Sequence, residues 1–246
     1  MDFATLLLVV AAYLLAGFVK GVIGMGLPTV AIGILAAVMT PAQAAAILVA
    51  PSLATNIWQA LAGPHFLSLL RRLAGMLIGI YVGAWLGAGI LTGANAKPAA
   101  IGLGLSLIVY ALLGLSKIHF SIPRAAEIWV GPLVGIATGA IMAATGVFVI
   151  PALPYLNALG LQRDELVQAL GVHFSISTFA LAAVLWSGSA FDFNLDLLSL
   201  AAIVPAVVGM AIGQHVRKRV SGETFRFWLF IGLLILGAQL VVRNVV

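Results

Sequence analysis

Few residues in this chain have the means to do chemistry. Lys20 is the one charged side chain in the apolar stretch from residue 3 to residue 39. Further on, Pro51-Ser52-Leu53-Ala54-Thr55-Asn56-Ile57-Trp58-Gln59 places Ser52, Thr55, Asn56 and Gln59 at spacings of three and four, one polar stripe on a helix. In the second half Gln168, His173 and Ser177 hold a related segment, and an offset of 122 lays Ser177 on Thr55 and His173 on Pro51. Such neutral donors, set near helix N-termini, suit an oxyanion. No carboxylate lies in the long apolar stretches, so a sodium site built from acids has no support. Ser177 stands one helical turn from His173, as a nucleophile stands to its base, yet no Gly-x-Ser-x-Gly elbow surrounds it and no acid orients the histidine. The chain has no cysteine, which removes thiolate and disulfide chemistry, and His65, His119 and His215 are too scattered for a metal.

The elements that hold these residues belong in a membrane. Of 246 residues 63% are hydrophobic and 8% charged, with a mean hydropathy of +1.20, which is too little polar surface for a soluble globule. The N-terminal apolar run has no basic leader and no small-residue cleavage pattern, and reads as a first membrane segment, not a removed signal. A helix over residues 3–39 would be roughly 55 Å long against a hydrocarbon core of about 30 Å. Gly24, Gly26 and Pro28 supply the interruption, because glycine and proline cost about 1 and 3 kcal/mol inside a helix. The helix should stop near residue 24 and restart near Pro28, giving a hairpin of two short or half helices. Unpaired backbone at membrane depth survives only under protein or beside a polar cavity, and substrates bind at such breaks.

The phrase recurs. Gly135…Gly139…Thr145-Gly146, running on to Pro151, matches Gly17…Gly21…Gly26-Leu27-Pro28 at an offset of 118, and Gly79–Gly87 matches Pro205–Gly213 at 126. Two ordered matches indicate a duplicated unit. The first unit (1–118) is expected to hold the broken segment 3–39 and helices at about 42–62, 73–92 and 98–116, with a turn at Asn95–Pro98. The second (125–246) holds the broken segment 128–160 and helices at about 165–187, 195–216 and 224–243. If each long segment returns to its starting side, Arg71, Arg72, Lys117, Arg124, Arg163, Arg217, Lys218, Arg219 and Arg226 share one face, and only Lys97 and Arg243 lie opposite. That obeys the positive-inside rule and places both termini outside the cytoplasm with Asp2, Asp192 and Asp196. A single crossing per long segment leaves no bias. The expected fold is an all-α polytopic membrane protein of two inverted repeats, each with a broken first segment and three further helices.

These glycine phrases resemble the sulfite exporter family, TauE/SafE, over essentially the whole chain: Gly-xxx-Gly, a glycine knot, then a proline near the next helix start. Here Pro28 stands at a knot position and Gly33 where the family proline falls, and Met142, Ala144 and Thr145 occupy knot positions in the second unit. The resemblance implies transport of small anions, sulfite or organosulfonates, usually outward.

The residues expected to bind the anion are Lys20, Gly24, Gly26, Thr29, Ser52, Asn56, Gln59, Thr145, Gly146, His173 and Ser177. In this reading Pro28-Thr29 and Thr145-Gly146 open helices whose free amides and dipoles face it. Lys20 either lines the pathway or snorkels to an interface. Each hydroxyl either serves the anion or bonds within the bundle, and His173 is either a proton carrier or a packed polar residue. Tyr81, Trp85 and Tyr110 read as packing or interface-belt residues. The leading reading is an anion permease of the cell's inner membrane, multi-pass and without cofactor or metal, which holds the anion between the two broken segments and moves it by alternating access. Its partners are the anion and the surrounding lipid, not nucleic acid; proton coupling and a homodimer are further expectations. Two alternatives stay open: a chloride-channel-like conductor, since Gly24-Met25-Gly26-Leu27-Pro28 also looks like the Gly-x-Gly-x-Pro loop of that family, and an intramembrane hydrolase.

Overall fold

A computed structural model describes residues 3–93, 96–116, 121–217 and 222–245, and among these every regular element is an α-helix. Asp2, Asn95, Lys117, His119, Lys218 and Arg219, which enter the charge and turn readings above, lie outside the described residues. Helix α1 (Phe3–Ile23) stops where Gly24 and Gly26 take φ of 83° and 100°, and α2 (Leu27–Leu35) restarts with Pro28 in its first turn. Only α2 is short. The expected pair of half helices is one helix of 21 residues and one of 9, because nothing before Gly24 breaks the hydrogen-bond ladder.

Thr40 opens α3 (Pro41–Leu61) with a capping box: its hydroxyl accepts from the Gln43 amide at 3.3 Å and its own amide donates to Gln43 Oε1 at 3.0 Å. Pro51 inside α3 lacks an N–H, so the Ile47 carbonyl has no helical partner. Ser199 supplies one at 2.9 Å and also accepts from the Ala50 amide at 3.1 Å. The stretch expected as one helix over about 73–92 is shorter and preceded by another. Helix α4 (Phe66–Arg72) meets α5 (Ala74–Gly87) at 62°, and α5 ends where Ala88 turns extended and Gly89 goes left-handed. Helix α6 (Ala96–Leu115) completes the first half.

In the second half α7 (Arg124–Thr145) ends at Gly146, φ 77°, and α8 (Ala152–Ala158) follows. Thr145-Gly146 therefore closes a helix instead of opening one, a correction to the sequence reading. The Gly146 amide bonds back to the Met142 carbonyl at 2.7 Å, and left-handed glycine is a common helix stop. The remaining helices are α9 (Arg163–Ser187), α10 (Phe193–Ala201), α11 (Ile203–Val216) and α12 (Gly222–Val245).

Partners are exchanged between the halves. Helix α1 packs along α11, α5 along α7, α3 against α9 and α6 against α12. Glycines let the first two pairs touch backbone to backbone: a Cβ on Gly17 or Gly21 would strike the carbonyl of Ala206 or Met210, and one on Gly135 or Gly139 would strike that of Met76 or Ile80. Among the described residues seven helical stretches are long and apolar enough to cross a membrane, and the bent pair α4–α5, taken as one span, makes an eighth. All five tryptophans are at least 66% exposed, as interface-belt residues are, whereas Tyr110 is buried packing. At one end of the bundle Arg72 forks onto Glu127 (Nε to Oε2 2.9 Å, Nη2 to Oε1 2.7 Å) beside Arg124 and Glu165. Lys97 and Arg243 share a cleft with Thr40 and Gln43 at the other end.

Candidate functional site

Lys20 sits in the last turn of α1, its carbonyl accepting the Gly24 amide at 2.7 Å, and its side chain is 3% exposed. The ammonium donates to Thr55 Oγ1 at 3.1 Å and to Asn56 Oδ1. Both acceptors are oriented by their own donations. Thr55 gives its hydrogen to the Pro51 carbonyl at 2.8 Å, leaving lone pairs for Lys20, and Asn56 Nδ2 donates to Ser52 Oγ at 2.9 Å. Because Thr178 spends its hydrogen on the Phe174 carbonyl at 2.7 Å, Ser52 must be the donor in the 3.1 Å contact between the two hydroxyls. One directional chain thus runs from α1 through α3 to α9, and every member is neutral except the lysine. The snorkelling alternative does not describe Lys20, whose nitrogen is bonded inside the bundle. Its neighbourhood helps by dipoles alone, including the carbonyl end of α1.

The other expected residues divide between the two breaks. Gln59 donates to the Gly24 carbonyl at 3.0 Å and to the Val167 carbonyl at 2.7 Å, so it ties the first break to α9. Gly26 is the left-handed residue before α2, and Thr29, in the first turn of α2, is 1% exposed with no hydrogen-bond partner for its hydroxyl. At the second break Thr145 Oγ1 donates to Ile141 at 2.7 Å and accepts from the Val147 amide at 3.2 Å, beside Gly146. His173 is fully buried, with Nε2 3.0 Å from the Phe148 carbonyl. That carbonyl can only accept, so Nε2 carries the proton and Nδ1 faces the Ser177 hydroxyl at 3.5 Å. No carboxylate orients this pair. Among the described residues no group of three His, Asp or Glu could hold a metal.

So the structure brings Lys20, Ser52 and Asn56 together, adding Thr55 and Thr178, and sets His173 and Ser177 on the same helix as Thr178. Gln168, one of the three residues of the second stripe, is a clamp: its Nε2 donates to the carbonyls of Ala60 (2.7 Å) and Gly63 (2.6 Å), and its Oε1 accepts from the His65 amide at 2.9 Å, closing the end of α3.

Two cavities reach the first break from the arginine-rich end. One, about 350 Å³, is lined by Arg163, Arg217, Glu223 and Arg226; the other, about 290 Å³, by Tyr110, Leu113, Leu153 and Phe230. They adjoin at Ile23, Met25 and Arg226, which line both. The sequence signal for these arginines was present, but it was read for topology alone. A family model described as Sulfite exporter TauE/SafE matches residues 9–240, nearly the whole chain. The chain belongs to the TauE/SafE sulfite exporter family. No curated protein and no solved structure matches it. Membership of the TauE/SafE family together with the membrane-length helices makes the chain a multi-pass membrane transporter.

Proposed function

We propose that the chain moves a small anion, sulfite or an organosulfonate, outward across the cell membrane by alternating access, with the anion bound at Lys20 beside the first break. One observation carries this reading: Lys20 is a buried cation with hydrogen-bonding partners but, among the described residues, no acid. A lysine at the bilayer centre costs about 2.5–3.5 kcal/mol on the insertion scale, and charges kept there generally mark a pathway or a partner. An anionic cargo is the missing partner. Thr29 supports the same place, because a buried unpaired hydroxyl in the first turn of α2 costs stability unless something accepts from it, and anions favour that end of a helix.

The duplication belongs to this proposal. Exchange of α1 with α7 and of α5 with α11 carries the α1–α11 pairing into α7–α5, as a two-fold relation between repeats 1–118 and 125–246 requires. Gathering of Arg71, Arg72, Arg124, Arg163, Arg217 and Arg226 at one end, with Lys97 and Arg243 at the other, supports placing the arginine-rich end in the cytoplasm and both termini outside. In this reading His173 latches the second break through Phe148, and Gln59 latches the first through Gly24; proton coupling would act through His173.

The test is sulfite and sulfoacetate flux in proteoliposomes, with chloride for comparison. Lys20→Met should fold and lose transport, and Lys20→Arg should keep charge but lose much of the rate. Normal flux in Lys20→Met would overturn the reading; equal flux of chloride would favour the conductor.

A further inference from the structure

The paired cavities differ in character, and they join at one guanidinium. On one side Arg163, Arg217 and Arg226 face a space of about 350 Å³ that holds a single acid, Glu223. Among the described residues none of these three arginines is within ion-pair distance of an acid. On the other side the space beyond Arg226 is lined mainly by apolar groups, Leu113 from α6, Leu153 from α8 and Phe230 from α12, with Ser116 and Asn157 among them. That wall is built. Tyr110 meets Phe230 edge to face at 5.2 Å between ring centres and donates to Met25 Sδ at 3.7 Å, so the aromatic pair fixes the methionine that separates the charged space from the apolar one. The three cations outnumber Glu223, an excess that solvent at the exposed Arg163 and Arg226 screens only in part. An apolar cleft beside them offers burial to a short hydrocarbon.

We propose that this vestibule is a second anion site, distinct from Lys20, that takes organic anions with a short apolar tail: the anionic head lies on Arg226 with Arg163 and Arg217, and the tail enters the Leu113–Leu153–Phe230 cleft. An inorganic oxyanion uses the charged half alone. The inference rests on the anion-transporter reading but uses other side chains, although the vestibule reaches Val22 and Ile23 in the same turn of α1 as Lys20. The same chemistry is presented by an anionic lipid, whose head group and acyl chain could fill the two halves.

The experiment is calorimetric titration of the full-length protein in phosphatidylcholine nanodiscs with methane-, ethane-, propane- and butanesulfonate, which share a charge and differ in tail. Each buried methylene should tighten binding about three- to fourfold. Arg226→Gln and, separately, Arg163→Gln should weaken the whole series about tenfold or more, as losing a charged hydrogen-bond donor does. Leu113→Ser should leave methanesulfonate binding in place and flatten the rise with tail length. Affinity that ignores tail length, or that survives both arginine substitutions, overturns the proposal. Loss of alkanesulfonate binding when phosphatidylglycerol replaces a third of the lipid would assign the vestibule to a lipid head group and overturn the soluble ligand. Lys20→Met should retain vestibule binding; if it also retains transport, the Lys20 reading falls and the vestibule stands, whereas loss of the arginine effect leaves the Lys20 reading untouched.

Discussion

At the scale of single residues, the buried Lys20 is a charge with no counter-charge among the described residues. Asn56→Asp should supply one permanently: a carboxylate beside the ammonium would be held as an ion pair where the anion is proposed to sit. We expect the variant to fold with at least parental thermal stability and to lose anion flux, measured by melting in detergent and by proteoliposome uptake. A variant that transports normally would place the anion elsewhere. His173 gives a second case. In His173→Ala the Phe148 carbonyl loses its donor, which should lower stability by about 1–3 kcal/mol. A glutamine there has an amide N–H to offer the same carbonyl, so His173→Gln should recover much of the loss. Were transport in His173→Gln as pH-dependent as in the parent, proton coupling would have to act through another group.

At the scale of elements, the glycines divide into those that allow contact and those that do not. Gly139→Leu would drive a side chain into the backbone of α5 at Ile80 and Ala84, and we expect little folded protein on size exclusion. Gly232 in α12 meets nothing within 4 Å of an added Cβ, so Gly232→Ala should raise stability by up to about 1 kcal/mol through helix propensity. The same distinction explains what could be read from the sequence. The first break was legible because Gly24, Gly26 and Pro28 act on their own backbone. Thr145-Gly146 was read as a helix start although it is a stop, since glycine serves both and only the course of residues 147–151 decides. The bend at Leu73 has no proline, and Gly75 two residues on is one glycine among many in this chain, too weak a mark to single out. Lys20 and Asn56 were each singled out, but their contact spans 36 positions and arises from helix packing. The arginine vestibule draws on the ends of α9, α11 and α12, which no spacing in the sequence brings together.

At the scale of the molecule, sidedness can be measured directly because the chain has no cysteine of its own. Val38→Cys lies at the Arg243 end and is exposed; Ser68→Cys lies beside Arg72 and Arg124. A membrane-impermeant maleimide added to intact spheroplasts should label the first and reach the second only after permeabilisation. The opposite pattern would invert the topology. The contacts also bear on the proposed duplication. Gly79 approaches the Pro132 carbonyl as Gly209 approaches that of Leu14, and Gly83 approaches Ile136 as Gly213 approaches Phe18, so under that proposal Gly79 would pair with Gly209, one helical turn from the match in sequence. The glycine seams have a mechanical meaning as well. Backbone-to-backbone contact leaves no side-chain layer to shear, so α1 with α11, and α5 with α7, each behave as a single stiff beam, and each beam contains one helix from either half of the chain. Rocking one half against the other would have to tear both beams apart; under the alternating access proposed above, the motion is therefore a sliding of these composite beams past the packed α3–α9 pair, with the halves interlocked throughout.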